Sequence, residues 1–265
     1  MRLLPYLVFA LCLLCACERP SYDTDDLAAA QEAAEQRDWT QVARLLQRYL
    51  REENDPQKRW TAWNLLVSAS QHMGEDAWAI DYLENMLQEY GDDGAYTAAV
   101  LRRLGAGYEK IRQWDKASEA WLRLLDVTEL SPNETALLYR RMGLYHQQAQ
   151  NFALAEDMFE MCADHAATPA LLSECRYLLA DAYATDGRLD EAARHVDEVL
   201  AVPETAPDVR GRALLLKGDI YEQQERRDEA ARAFAEALPL HPNPAVVQSR
   251  IDYLKTKPQS IAPAS

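Results

Sequence analysis

The sequence predicts an all-α chain: about six helix pairs stacked as a solenoid and closed by one further helix. Three observations lead there. Only nine of the 265 residues are glycine and four phenylalanine, while Ala, Leu, Glu and Arg abound, a helix-forming composition. The segments RDWTQVARLLQRYL, GEDAWAIDYLENML, RQWDKASEAWLRLL, QNFALAEDMFEMCA, GRLDEAARHVDEVL and ERRDEAARAFAEAL align, with a small residue (Val42, Ala79, Ala117, Ala155, Ala192, Ala230) recurring every 37 or 38 positions. Four residues after each stands a large apolar one (Leu46, Leu83, Trp121, Phe159, Val196, Phe234) and twelve before each a small one (Ala30, Val67, Gly105, Gly143, Ala180, Gly218).

Taken in chain order, residues 1–16 read as a secretory signal. Arg2 is the only charge before Glu18, and the apolar run after it is shorter than the roughly 20 residues a bilayer span needs. Leu14-Cys15-Ala16-Cys17 resembles the lipobox of bacterial lipoproteins. The resemblance implies cleavage before Cys17, lipid attachment there, loss of Cys12 and Cys15 with the signal, and sorting to the outer membrane because Glu18 is not Asp. An ordinary cleaved signal or a short buried helix is the plainer reading of the same residues. Residues 17–22 form a short tether, residues 23–255 the solenoid, and residues 256–265 a disordered tail.

Within the repeated region, small residues belong where two helices cross closely, and the large residue one turn on fills the adjoining gap. No pair buries its apolar stripe alone, so each needs a neighbour. Ala33, Ser70, Tyr108, His146, Tyr183 and Tyr221 stand nine before each repeated small residue, and Pro132, Pro169, Pro203 and Pro242 fall in the breaks. The first pair, with Ala30 and Ala33, is short of bulk, and its acidic start YDTDD suits a helix N-terminus. A capping helix is expected from about Ala245 to Lys255.

The pattern Leu101-x2-Leu104-Gly105-x2-Tyr108 followed by Ala117-x3-Trp121 resembles the tetratricopeptide repeat, and six units in register cover residues 23–244. The resemblance implies a right-handed α-solenoid whose first helices line a concave, protein-binding face. The overall layout is similar to barrel-assembly lipoproteins, pilotins and the periplasmic coordinators of the Tol–Pal system.

The chain carries a net charge of −15, and removing residues 1–16 takes away Arg2 and no acid, giving −16. That balance excludes nucleic acid, whose phosphates need clustered Lys and Arg, and an anionic lipid surface. No two of His72, His146, His165, His195 and His241 stand three or four apart, so no metal site is expected. GAG at 105–107 lacks a phosphate loop's third glycine, and DTDD and YGDD lack the remaining calcium ligands. Neither a catalytic site, a cofactor nor a small-molecule substrate is expected.

The function these readings imply is a non-catalytic protein-binding scaffold, lipid-anchored at Cys17 and periplasm-facing, in assembly of outer-membrane proteins, secretins or pili. The alternative is a non-catalytic subunit or coordinator of an envelope enzyme complex, such as the cell-wall synthesis or Tol–Pal machinery. In the tetratricopeptide register, Asn64, Arg102, Arg140, Tyr177 and Leu215 occupy one groove position, Arg103 and Arg141 the next, with Lys110 and Gln147 further along the same helices. These arginines either grip a partner's carboxylates or pair internally with Glu109, Asp181 or Asp219. The Lys-Asn clamp of chaperone-binding relatives is not matched. In tetratricopeptide stacking, Cys162 and Cys175 lie on faces that meet, so an oxidising periplasm would permit a disulfide; two buried free thiols are the alternative.

Overall fold

A computed structural model describes residues 26–256. The signal segment, Cys17, the tether and residues 257–265 lie outside the described residues. Thirteen α-helices and no strand are present among them. The helices gather into two compact units, with the boundary between Ile111 and Arg112, inside the third predicted pair. Unit 1 holds α1 (Asp26–Glu35), α2 (Trp39–Glu52), α3 (Pro56–Met73), α4 (Asp76–Tyr90) and α5 (Gly94–Lys110). Unit 2 holds α6 (Trp114–Val127), α7 (Pro132–Gln148), α8 (Phe152–His165), α9 (Pro169–Thr185), α10 (Leu189–Ala201), α11 (Pro207–Gln223), α12 (Arg227–Ala237) and α13 (Pro244–Thr256).

Local sequence sets the helix starts. Pro56, Pro132, Pro169, Pro207 and Pro244 each open a helix, where the missing N–H is an orphan anyway and φ is already helical. Ser131 and Glu134 form a reciprocal capping box on α7, and the side chains of Asp55, Asp93 and Thr168 accept from the first free N–H groups of α3, α5 and α9. The acidic residues of YGDD thus end in a helix cap at Asp93.

The turn inside every pair has one residue in the left-handed region: Arg37, Gly74, Arg112, Gln150, Gly187 and Glu225. These follow one another at the repeat interval. At Gly74 the geometry is a Schellman close, with Gly74 N–H donating to the Gln71 carbonyl at 3.2 Å and Glu75 N–H to the Ser70 carbonyl at 2.9 Å. Only two of the six turns use glycine, so the other four carry the steric cost of an L-residue there.

The predicted core positions are the observed core. Val42, Ala79, Ala117, Ala155, Ala192 and Ala230 are all buried, as are Leu46, Leu83, Trp121, Phe159, Val196 and Phe234. The reason for small residues twelve positions earlier is visible at Gly143, where an added Cβ would lie 2.5 Å from the Phe159 ring. Gly218 meets Phe234 in the same way. Consecutive helices pack along each unit, and in unit 2 the first helices of successive pairs also touch, α7 on α9 and α9 on α11.

One local reading changes. The acidic start of α1 does not act through the helix dipole alone, because Asp26 is buried and accepts from Arg48 Nε of α2 at 2.6 Å.

Candidate functional site

The residues assigned to the groove from the repeat register sit on α3, α5, α7 and α9. In unit 2 most of them are tied to the next first helix. Arg140 Nη1 donates to Glu174 Oε2 on α9 at 2.8 Å, with both side chains about a third exposed (29% and 33%). Arg140 Nε is buried and has no hydrogen-bond partner. One helical turn along, Gln147 Nε2 donates to Asp181 Oδ2 at 2.7 Å. Tyr177 lies beneath the Arg212 guanidinium of α11, 4.7 Å from its ring centroid. Burial, then the nearby Asp181 charge, pushes the Tyr177 hydroxyl up to about 12, against the pull of Arg212. Arg141 stacks over Trp121 at 5.3 Å.

The ladder continues to α13, where Arg250 Nε stands 3.1 Å from Asp219 Oδ1 without hydrogen-bond alignment. Burial raises the Asp219 carboxyl above the usual range, and Arg250 only partly offsets it. Two of the acids suggested by sequence, Asp181 and Asp219, are found with other partners than these arginines. Asp181 takes Gln147 and Asp219 faces Arg250, while Glu174, unsuspected, takes Arg140.

Unit 1 treats the same register differently. Arg103 Nη1 donates to the Asn64 amide oxygen at 2.5 Å, a neutral acceptor, and burial lowers the Arg103 pKa. Lys110 Nζ meets Asp76 Oδ1 at 2.6 Å. Arg102 is exposed and has no ion pair or hydrogen bond among the described residues. Arg102, Arg103 and Lys110 share a cleft of about 350 Å³ between α4 and α5 whose floor is the buried Ile80 and Leu83.

Leu144, which the register sets where the clamp's Asn would stand, and Leu137, which sequence reasoning missed, are each 40% exposed. With Arg140 and Gln147 they recur at i, i+3, i+7 and i+10, which places all four along one face of α7. The signal was available, since large apolar residues at groove positions fit neither the core stripe nor a solvated face.

Cys162 of α8 and Cys175 of α9 are both fully buried and joined as a disulfide, with Cα atoms 5.7 Å apart. No cluster of three or more metal-ligating side chains occurs among the described residues, and none of their helices is long and apolar enough to cross a membrane.

Residues 142–256 match the family model described as a tetratricopeptide repeat-like domain. Solved structures agree in fold. The apo form of RapI superposes with a TM-score of 0.59 at 10% identity, over 88% of this chain and 70% of that one. YrrB, described as a tetratricopeptide protein with an unusual peptide-binding site, gives 0.53 at 16% identity over 71% and 89%. The apo quorum sensor NprR from B. thuringiensis gives 0.53 at 15% over 86% and 69%. No curated protein matches the chain by sequence. The chain is thus an all-α protein built of tetratricopeptide-like helix pairs.

Proposed function

We propose that this chain is a non-catalytic, protein-binding scaffold, lipid-anchored at Cys17 on the periplasmic side of the outer membrane and serving envelope assembly. The observation that carries the reading is the α7 face, on which Leu137 and Leu144 flank Arg140 in the open. Apolar side chains exposed beside polar ones on a helix face suit an extended or helical polypeptide segment. Peptide binding in YrrB, on a similar fold, lends support, as does the lipobox-like Leu14-Cys15-Ala16-Cys17, which would hold such a scaffold at a membrane.

Affinity capture from solubilised membranes tests this, using the native chain, Leu144→Glu, and Leu154→Glu as a control, since Leu154 is 46% exposed on the second helix α8. A barrel, secretin or pilus component should be recovered with the native chain and Leu154→Glu and lost with Leu144→Glu. Recovery of a stoichiometric hydrolase or synthase would favour the enzyme-subunit reading instead. Cys17→Ala should release the protein from membranes; a mature N-terminus without lipid would end the anchoring idea.

A further inference from the structure

A second cleft of unit 1, of about 330 Å³, lies between α2 and α4, with Leu50 and Leu66 buried at its base. Its edges are second helices, whereas the groove positions assigned by register all stand on first helices. Connections of three and two residues join α2 to α3 and α3 to α4, so α2 and α4 each run against α3 and parallel to one another. One edge is aromatic. The Tyr82 hydroxyl of α4 accepts from Gln47 Nε2 of α2 at 2.7 Å, and Trp63 Nε1 of α3 donates to Glu89 Oε2 at 3.0 Å. These bonds hold the Trp63 and Tyr82 rings 5.9 Å apart at 45°, and Trp78, one turn before Tyr82, is 51% exposed. The other edge is basic. Arg44 and Arg51 flank Gln47 along one face of α2, are exposed, and have no hydrogen bond or ion pair among the described residues.

Repeat packing does not require this arrangement. The same place recurs 150 or 151 positions later, between α10 and α12, in a cleft lined by Leu200, Leu214, Lys217 and Ala233. There Lys217 stands for Leu66, Leu214 for Trp63 and Ala233 for Tyr82. Lys217 Nζ donates to Oδ1 of Asp197, the counterpart of Gln47, at 2.7 Å. An internal ion pair thus spans one cleft, while the other keeps its rings and two cations without an ion pair. In a chain of 43 acids and 28 Lys and Arg, such cations at one edge are the exception.

We propose that the cleft between α2 and α4 binds an extended segment of a partner polypeptide in which acidic and aromatic residues alternate, the acids on Arg44 and Arg51 and the rings on Trp63, Trp78 and Tyr82. Charge complementarity selects the acids, because a guanidinium fork pairs a carboxylate through two parallel hydrogen bonds. The tilted Trp63 and Tyr82 rings offer both a face and an edge, which suits aromatic side chains. Size selects an extended chain, since a helix with its side chains is about 10–12 Å across and too wide for a cleft of about 330 Å³. In an extended chain successive side chains point opposite ways, toward the basic edge and the aromatic edge in turn. Arg44 and Arg51 stand about 10 Å apart along α2, the reach of three to four extended residues.

This adds a second site to the protein-binding reading and rests on that reading only for the class of ligand. The test measures binding of the full chain to fluorescent peptides blocked at both ends. One carries Glu-Phe-Glu-Phe-Glu, one Glu-Glu-Glu-Phe-Phe and one Lys-Phe-Lys-Phe-Lys. The alternating acidic peptide should bind with a Kd below about 1 mM and at least about tenfold more tightly than either of the others. Arg51→Glu and Trp78→Ser should each weaken it at least about tenfold, with circular dichroism confirming intact helix. Arg232→Glu, at the register position of Arg44 in the cleft between α10 and α12, should leave it unchanged.

No binding below about 1 mM, equal binding of either other peptide, an unaffected Arg51→Glu or Trp78→Ser, or an equal loss in Arg232→Glu would each overturn the proposal. Tighter binding of free phenylacetate than of the alternating peptide would overturn the polypeptide assignment. Membrane capture that still depends on Leu144, with no binding of the alternating peptide, would remove this inference and leave the scaffold reading standing.

Discussion

Arg102 in unit 1 and Arg140 in unit 2 occupy the same repeat position, and their surroundings differ. Arg140 is drawn onto Glu174 of the next first helix, and Gln147 and Asp181 repeat the tie one turn on. Among the described residues Arg102 has no such partner, and Arg103 next in sequence reaches only an amide. Position in a repeat therefore does not fix a side chain's job; the next helix does. In unit 2 the polar groups Arg140 and Gln147 tie α7 to α9 and leave Leu137 and Leu144 exposed. In unit 1 Arg102 remains exposed.

The largest expected effect sharpens the contrast in how the units are held. Replacing Cys162 and Cys175 of unit 2 by Ala removes a closure across 13 positions, worth about 3 kcal/mol in the chain-entropy model. Urea unfolding should show that loss, and a reductant should reproduce it in the native chain. Equal stability with and without the bridge would mean that packing around α8 and α9 suffices.

Next is the closeness of helix crossings. Gly218→Ala drives a Cβ into the Phe234 ring and should cost about 2 kcal/mol, the overpacking penalty less the helix-propensity gain. Gly107→Ala of unit 1 meets only the flexible Ile80 side chain and should stay within about 0.5 kcal/mol of the native chain. Similar losses at both sites would refute a difference in crossing distance.

Acid should separate the paired carboxylate of α4 from the buried ones of α8 and α11 by sign. In unit 1, Glu89 accepts from Arg59 Nε and Nη2, each at 2.6 Å, and that pairing holds its pKa below the usual value. Its stabilisation is present at neutral pH and is lost as pH falls below the ordinary carboxylate range. In unit 2, burial raises Glu156 and Asp219 despite Arg188 and Arg250. These groups bind protons in the folded state first, so α8 and α11 should gain stability locally as pH falls toward the ordinary carboxylate value, while Glu191, Glu229 and Asp252 of the same unit act in the opposite sense. Hydrogen exchange across that range should show protection rising in α8 and α11 before it falls in α3 and α4. A parallel decline in both would contradict the assignment.

The smallest effect concerns the shared turn. Glu225 adopts φ 63° in the turn where two of the other pairs use glycine. Glu225→Gly should therefore be neutral to stabilising, by up to about 1 kcal/mol, because the steric strain outweighs glycine's extra unfolded-state entropy. A clear loss of melting temperature would show that the Glu225 side chain holds the turn.

Much of the fold was legible because its determinants are periodic. A small residue must stand wherever Phe159 or Phe234 presses on the preceding helix, so Gly143 and Gly218 announce the crossing. The left-handed turns were legible only at Gly74 and Gly187, since Arg37, Arg112, Gln150 and Glu225 adopt that conformation without glycine. The site was less legible, because register places residues on a helix but does not say which residue of the next helix faces them. Glu174 follows Arg140 by 34 positions, as Asp181 follows Gln147. That is about one helical turn short of the 37–38 repeat, an offset set by how the helices slide in packing. Tyr177, assigned to the groove by register, is covered by Arg212 of the next first helix.

The most direct test of this division of labour reverses the two equivalent charges, Arg102→Glu and Arg140→Glu, and reads melting temperature and partner affinity for each. Arg140→Glu should set a carboxylate against Glu174 and cost about 1 kcal/mol, lowering the melting temperature by roughly 2–4 °C. Arg102→Glu should leave the melting temperature unchanged and weaken the captured partner at least about tenfold. Equal melting losses at both positions, or unchanged affinity in Arg102→Glu, would contradict it.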